Sequence, residues 1–227
     1  MNGVRVGVAL ARERLRGASA PLVLLLACAA LFAIAVLERR SDASNAPDDA
    51  LSAVFGIALP ILAYLVSERA CASQRLTRSV DDVARYGTNR RAALLGVLLA
   101  SAACTAIAGA LLTVVALLGA HGAHSTSFAI DLRASLGIAL IAGAVYSLYF
   151  AAASLLGKRG GGRKWALVID FLLGAGSSAL AAPWPRGHVR NLLGGEPVSD
   201  LSQPSAWLAL AVIGAVCVAL SVARTRE

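Results

Sequence analysis

Residues 92–119, AALLGVLLASAACTAIAGALLTVVALLG, form an apolar stretch without a single charged side chain, and they decide the fold. A helix of this length can cross the hydrocarbon core of a bilayer, which is about 30 Å thick. Five further apolar runs lie at about 19–37, 50–67, 134–156, 165–182 and 206–222. The sequence therefore predicts an all-α polytopic membrane protein with six transmembrane helices.

The composition of the whole chain points the same way. Of its 227 residues, 58% are hydrophobic and 15% are charged, and the mean hydropathy is +0.71. Soluble domains are about half apolar and about one quarter charged. The formal net charge is +8, but Lys and Arg lie at the ends of the apolar runs. The basic excess is therefore typical of helix-flanking charge, and we expect no nucleic-acid partner.

The positions of the basic residues predict the orientation. Of the 21 Lys and Arg residues, 16 lie in the segments 1–18, 67–91, 157–164 and 223–227. The positive-inside rule places these four segments in the cytoplasm. We therefore expect a multi-pass protein of the bacterial inner (plasma) membrane with both termini cytoplasmic. The first apolar run continues past Cys28 to Leu37 and is longer than a signal h-region, so we interpret it as an uncleaved span.

The N-terminal segment, residues 1–18, carries Arg12, Arg14 and Arg16 between apolar residues. Such a pattern can form an amphipathic interface helix that lies on the membrane surface. The alternative is a frayed basic tail that does no more than set the orientation.

Groups that could carry catalysis are scarce within the predicted spans. Asp170 is the one ionisable residue well inside a span, which makes it a functional candidate. Its carboxylate could also reach the cytoplasmic interface or pair with Lys158, Arg159 or Lys164. The chain lacks the G-K-[ST] ending of a phosphate loop. We expect no catalytic residue in this chain, and therefore no enzyme activity of its own.

A metal or disulfide site is not predicted either. His121 and His124 are three residues apart and could share a metal if helical, but solvated loop histidines have the same spacing. The four cysteines, Cys28, Cys71, Cys104 and Cys217, show no C-x-x-C spacing. We expect no metal and no cofactor in this chain.

Tyr146, Tyr149 and Phe150 share one face of the fourth predicted span, because positions three and four apart are neighbours on a helix. Together with Asp170 they are candidates for lining a pathway for an amphipathic substrate. An interface belt or ordinary helix packing would produce the same spacing.

The longest basic polar stretch is residues 67–91, SERACASQRLTRSVDDVARYGTNRR. It predicts a short helix over residues 80–87, held at the cytoplasmic surface between the second and third spans. Its signals are a capping serine, two acids in the first turn and a terminal glycine: Ser79, Asp81, Asp82 and Gly87. Thr88 is placed to cap the next helix. An ordinary charged loop is the alternative.

This stretch resembles the coupling-helix region of ABC-2-type permeases, the membrane halves of a class of ABC exporters. The similar residues are 67–69, 83–91 and 94–96. The basic segment before the first span is similar to that family's amphipathic interface helix. The Pro- and Gly-rich connection over 183–205 is similar to its re-entrant outer hairpin.

The resemblance implies a permease subunit that forms a translocation pathway as a dimer with a second copy or a paralogous permease, surrounded by membrane lipid. A separate P-loop ATPase subunit would bind ATP and Mg²⁺. The residues implied to couple the two proteins are Asp81, Asp82, Val83, Arg85, Tyr86 and Gly87. The alternatives are a non-transporting assembly or sensor subunit and a secondary transporter, the latter because Pro60 could break the second span.

Overall fold

The computed structural model describes residues 2–17, 19–121 and 128–225. Within these ranges the chain is helical and contains no strand. The α-helices are α1 (Gly3–Leu15), α2 (Ser19–Ser41), α3 (Ala46–Ala53), α4 (Leu59–Ala70), α5 (Asp81–Ala84), α6 (Arg90–His121), α7 (Phe128–Ala153), α8 (Gly162–Leu173), α9 (Pro185–Leu192) and α10 (Gln203–Ala223).

Five helical stretches in the described ranges are long and apolar enough to cross a membrane. They are Pro21–Ser41, Ala46–Ala70, Arg90–His121, Phe128–Ala153 and Gln203–Ala223. These stretches cover the first, second, third, fourth and sixth predicted spans. The prediction of an all-helical, membrane-embedded chain is therefore confirmed.

The second stretch joins α3 to α4 through a π-helical turn, Val54–Ala58. The Leu59 N–H donates to the Val54 carbonyl, five residues back instead of four. Pro60 follows directly, and a proline ring clashes with the carbonyl four residues earlier and supplies no N–H. The wider turn relieves that clash, so Pro60 interrupts the α-helical pattern without ending the helix.

The fifth predicted span differs from the expectation. One helix over 165–182 was expected, but α8 ends at Leu173 and rises about 18 Å, against a hydrocarbon core of about 30 Å. Residues 174–178, GAGSS, follow, and glycine and serine are poor helix formers. A 3₁₀ turn at Ala179–Ala181 then leads into α9, which packs against α7, α10 and the π-turn.

α6 lies at the centre of the fold and packs against α1, α2, α3, α4 and α7. Small residues allow the close approach of α6 and α7, as is common between membrane helices. A Cβ atom built on Gly143 would lie 2.7 Å from the Thr105 carbonyl oxygen, and one on Gly109 would lie 3.3 Å from the Ala139 carbonyl oxygen.

The four basic segments meet at one end of the bundle. Arg91 Nε donates to the Thr225 carbonyl at 3.3 Å, and Arg75 Nε donates to the Gly157 carbonyl at 2.7 Å. We call this end, formed by residues 2–16, 71–91, 154–164 and 223–225, the basic end. The strict alternation of six spans and the cytoplasmic location of the basic end stay predictions.

Candidate functional site

The loop between α4 and α6 is anchored to α1 by Arg14. Its Nη1 donates to the Ala70 carbonyl at 2.9 Å, and its Nη2 donates to the Ser79 carbonyl at 2.8 Å. Burial lowers the pKa of the Arg14 guanidinium below its ordinary value, but arginine stays charged at neutral pH. Both hydrogen bonds are therefore charge-assisted and stronger than neutral ones. We call residues 71–87 the docked loop.

The connection between α7 and α8 holds the other side of the docked loop. The Leu76 N–H donates to Ser154 Oγ at 3.0 Å. Arg163 is 2% exposed and donates from Nη2 to the Gln74 carbonyl. Together with the bond from Arg75 to Gly157, these contacts fix the docked loop against the start of α8. Ser154 and Arg163 belong to no local sequence motif, so their part in holding the docked loop could not be predicted from the sequence.

An apolar cluster lies beneath these hydrogen bonds. Leu76 and Val80 of the docked loop are fully buried against α1 and α6, where they meet Ala11, Ala93 and Leu94. Burial of a leucine or valine side chain contributes about 1.5–3 kcal/mol. The docked loop is therefore an integral part of the bundle and not an ordinary solvated loop.

The tip of the docked loop is α5, which is shorter than the helix expected over 80–87. Gly87 ends this turn with φ +79°, the left-handed conformation predicted for a stop signal. Asp81 forms an ion pair with Arg90. Val83 is half-buried against the apolar cluster, whereas Asp82, Arg85 and Tyr86 are exposed, and Tyr86 is 91% exposed.

Two capping predictions were wrong. Ser79 Oγ donates to the Leu76 carbonyl at 2.6 Å, and no side chain caps α5. The reason is that Ser79 lies inside a 3₁₀ turn, Arg78–Val80, which buries its hydroxyl. Asn89, and not Thr88, caps α6, since its Oδ1 accepts from the Ala92 N–H at 2.9 Å.

α1 presents small residues and one arginine, Arg14, to the bundle. Gly3, Gly7 and Ala11 are buried on one face of α1. Arg12 and Arg16 are exposed, and Arg14 is the one of the three predicted interface arginines that turns inward. The helix and its packing argue against a frayed tail, and contact between the exposed face and lipid stays a prediction.

Asp170 lies fully buried between α7, α8 and α9. Tyr146 Oη donates to Asp170 Oδ2 at 3.3 Å, and the Arg186 N–H donates to Asp170 Oδ1 at 3.4 Å. The expected pairing with Lys158, Arg159 or Lys164 is not found. The short α8 returns through α9, which brings Arg186 closer to the carboxylate than those lysines and arginine.

The aromatic residues of α7 form a packed cluster around this carboxylate. Tyr146 and Phe150 are fully buried and stacked, with ring centroids 6.1 Å apart. Tyr149 Oη donates to the Ala166 carbonyl at 3.1 Å, and its ring lies against Trp184 at a centroid distance of 6.3 Å. Within one copy of the chain, Tyr146 and Phe150 therefore serve helix packing, and their part in a pathway stays a prediction.

We expect Asp170→Ala to lower the free energy of unfolding by about 1–3 kcal/mol, because it leaves the buried Tyr146 hydroxyl without its acceptor. Tyr146→Phe removes only the donor, and Asp170 still accepts the Arg186 N–H, so this variant should cost less. Thermal unfolding of the purified protein in a neutral detergent measures the difference. Asp49→Ala is the control, since Asp49 is exposed on α3, and an equal loss in both alanine variants would contradict the assignment.

The structure brings His121 to Asp131, with 2.9 Å between His121 Nε2 and Asp131 Oδ2. His124 lies outside the described residues. Among the residues that are described, no group of three or more His, Cys, Asp or Glu side chains lies close enough together to hold a metal ion. All four cysteines are free thiols, and burial raises the pKa of the Cys71 thiol.

No family model matches the chain, and no curated protein matches it.

Proposed function

We propose that the chain is the membrane-spanning permease subunit of an ATP-driven exporter of the ABC-2 type, which works as a dimer with a separate P-loop ATPase. The observation that supports this most is the docked loop. It presents a short exposed helix at the basic end and is tied to α1, α6, α7 and α8. A surface that receives motion from a partner has to be joined firmly to the helices that move, and the docked loop meets that requirement.

The proposal includes six crossings with both termini in the cytoplasm of a bacterial inner membrane. α7 ends at the basic end, and α10 begins at the opposite end, since its last residues reach Arg91. The chain must therefore cross between them, and α8 with residues 174–184 makes this fifth crossing. Irregular backbone at membrane depth is tolerated where protein surrounds it. α9 and residues 193–202 then form the outer, re-entrant connection.

The substrate pathway is proposed to run along α7. A groove of about 600 Å³ lies between α7, α8 and α10, and Tyr149, Trp165 and Trp184 line it. The groove is predominantly apolar, which suits an amphipathic substrate. Tyr149 is the member of the predicted aromatic set that reaches it.

A secondary transporter is the second candidate. The π-turn at Val54–Ala58, the short α8 and the buried Asp170 resemble the interrupted helices and midplane charges of such transporters. A secondary transporter requires no ATPase and no exposed α5 to bind one.

The two candidates are distinguished by purification of the tagged protein from its native membrane in mild detergent, with mass spectrometry of the co-purified proteins. A stoichiometric P-loop ATPase supports the permease. Recovery without an ATPase, together with no ATPase crosslink from residues 80–87, would favour the secondary transporter or an assembly subunit.

The most direct test of coupling through α5 is a variant that changes only exposed side chains in this helix and just after it. Reversal at Asp81 would also break the ion pair with Arg90, so Asp82→Lys combined with Tyr86→Ala is cleaner, since both side chains are exposed. We expect at least about a tenfold loss of co-purified ATPase, equivalent to about 1.4 kcal/mol of binding free energy. Thermal stability should stay unchanged.

Asp49→Lys is the matched control, because it reverses an exposed charge on α3, away from the basic end. Equal ATPase recovery with the tip variant and the control would argue against α5 as the coupling element.

A further inference from the structure

A cavity of about 400 Å³ lies between α3, the π-turn and α9, at the end of the bundle opposite the basic end. Its size falls within the range of small-molecule sites. Leu51, Phe55, Val189 and Leu193 give it an apolar wall, and Arg186 and Arg190 contribute positive charge.

The Arg190 side chain donates hydrogen bonds to three backbone carbonyls. It donates to the carbonyl of Ala175, to that of Gly176 at 3.2 Å and to that of Glu196 at 3.1 Å. These bonds tie α9 to the segment after α8 and to the loop that follows α9. Arg190 therefore builds the cavity wall through both Nη atoms and adds positive charge to it, and its buried Nε has no hydrogen-bond partner among the described residues.

Arg186 is in a different position. Its guanidinium lies over the Phe171 ring, 4.3 Å from Cζ to the ring centroid. Its Nη1 is buried and has no hydrogen-bond partner among the described residues. Asp170 accepts the backbone N–H of Arg186 and interacts electrostatically with its side chain, but no ion-pair contact within 4.0 Å joins the carboxylate to the guanidinium. An unsatisfied charged donor at a cavity wall is costly, and an anionic acceptor would remove that cost.

The π-turn brings the backbone close to this guanidinium. Gly56 lies in the turn, and a Cβ atom built on it would lie 3.5 Å from Arg186 Nη2. A side chain at position 56 would therefore occupy the space in front of Arg186. π-turns occur frequently at functional sites, where they widen a helix locally.

The two ends of the cavity differ. Ser52 and Asp48 lie on α3, about one and two turns before Gly56, and are exposed, so they mark the mouth. Gly56 lies eight residues after Asp48, which on a helix corresponds to about 12 Å. The cation thus lies at the deep end of an apolar cavity, and the acid lies in water at its mouth.

We propose that this cavity binds a small amphipathic anion, a carboxylate or phosphate group on an apolar body, with Arg186 holding the anionic group beside Gly56. Leu51, Phe55, Val189 and Leu193 contact the apolar body. The site does not depend on the proposed ATPase partner, because every residue that builds it belongs to this chain and lies away from the docked loop.

Thermal unfolding in a neutral maltoside detergent tests the site with two probes, decanoate and dodecyl phosphate, against decanol as the uncharged reference. We expect both anions to raise the unfolding temperature of the wild-type protein and decanol to leave it unchanged. Arg186→Gln should weaken the apparent affinity at least about tenfold, while Arg186→Lys should keep part of it. Asp48→Asn should strengthen binding modestly, since it removes a like charge at the mouth.

A second pair of variants protects the test against a folding defect at Arg186. Gly56→Leu fills the space in front of the guanidinium and should abolish the stabilisation by both anions. Gly137→Leu is the matched control, because a Cβ atom there would meet only the Trp207 ring, at 3.6 Å. The control should respond to the anions like the wild type.

The source of the anion is found by repeating the measurement in nanodiscs of phosphatidylglycerol or phosphatidylcholine. Stabilisation in phosphatidylglycerol that Gly56→Leu removes identifies a lipid headgroup. Stabilisation by decanoate in both lipids identifies a soluble amphiphile. If no anionic probe stabilises the wild type, or if Gly56→Leu and Gly137→Leu respond equally, the proposal is wrong.

Discussion

Replacing Gly96 by leucine should separate α1 from α6 and lower the free energy of unfolding by about 3 kcal/mol or more. A Cβ atom on Gly96 would lie 2.8 Å from the Val8 nitrogen, 2.9 Å from Gly7 Cα and closer still to the Val4 carbonyl oxygen. These are backbone atoms, so no rotation of a side chain can make room. α1 has to move as a whole, and the small-residue interface with α6 is then lost.

Thermal unfolding in neutral detergent measures this loss, and limited proteolysis at the arginines of α1 reports whether the helix has detached. Gly137→Leu serves as the control for adding the same side chain to a membrane helix with open space around it. A Gly96→Leu protein as stable and as protease-resistant as this control would contradict the packing of α1.

The long spans could be predicted from the sequence because membrane crossing depends on a local property, an unbroken apolar run. The same property led to the wrong expectation that one continuous helix forms the fifth span. Residues 165–182 are apolar apart from Asp170, Ser177 and Ser178, but hydropathy measures transfer into lipid and not helix continuity. The run GAGSS at 174–178 carried the relevant signal, since its low helix propensity agrees with the end of α8 at Leu173.

Asp170 shows a second limit of local reasoning. Its position inside the fifth apolar run could be predicted, because an isolated carboxylate in such a run stands out. Its partners could not, since they are the Tyr146 hydroxyl and the backbone N–H of Arg186, which lie 24 and 16 residues away along the chain. α9 had to fold back against α8 before that contact existed, and no periodicity indicates such a return.

In the candidate coupling region, too, some features could be predicted from the sequence and others could not. The acids of its first turn and the left-handed Gly87 follow from local rules for helix ends, and the structure has them in place. The anchors do not follow from local rules. Arg14 reaches carbonyls 56 and 65 residues along the chain, and Arg163 reaches one 89 residues back. The sequence could show which residues are basic but not which of them turn inward.

Exchanging Arg14 for leucine is therefore the sharpest test of the docked loop. The variant removes two charge-assisted hydrogen bonds, each with a net contribution of about 1.5–3 kcal/mol, and leaves the Ala70 and Ser79 carbonyls without this donor. Hydrogen exchange followed by mass spectrometry should show residues 71–87 exchanging at least about tenfold faster, since a loss of 1.4 kcal/mol already produces that factor.

Arg12→Leu is the matched control, because it makes the same chemical change two residues earlier on the exposed face of α1. It should leave exchange in the docked loop unchanged. Equal exchange in the two variants would show that Arg14 is not the anchor. If only Arg14→Leu frees the docked loop, ATPase recovery with this variant shows whether the loop is needed to bind the partner or only to stabilise the bundle. Lost recovery then means that the partner needs α5 held in place, whereas unchanged recovery means that the docked loop stabilises the bundle and that coupling must use another surface.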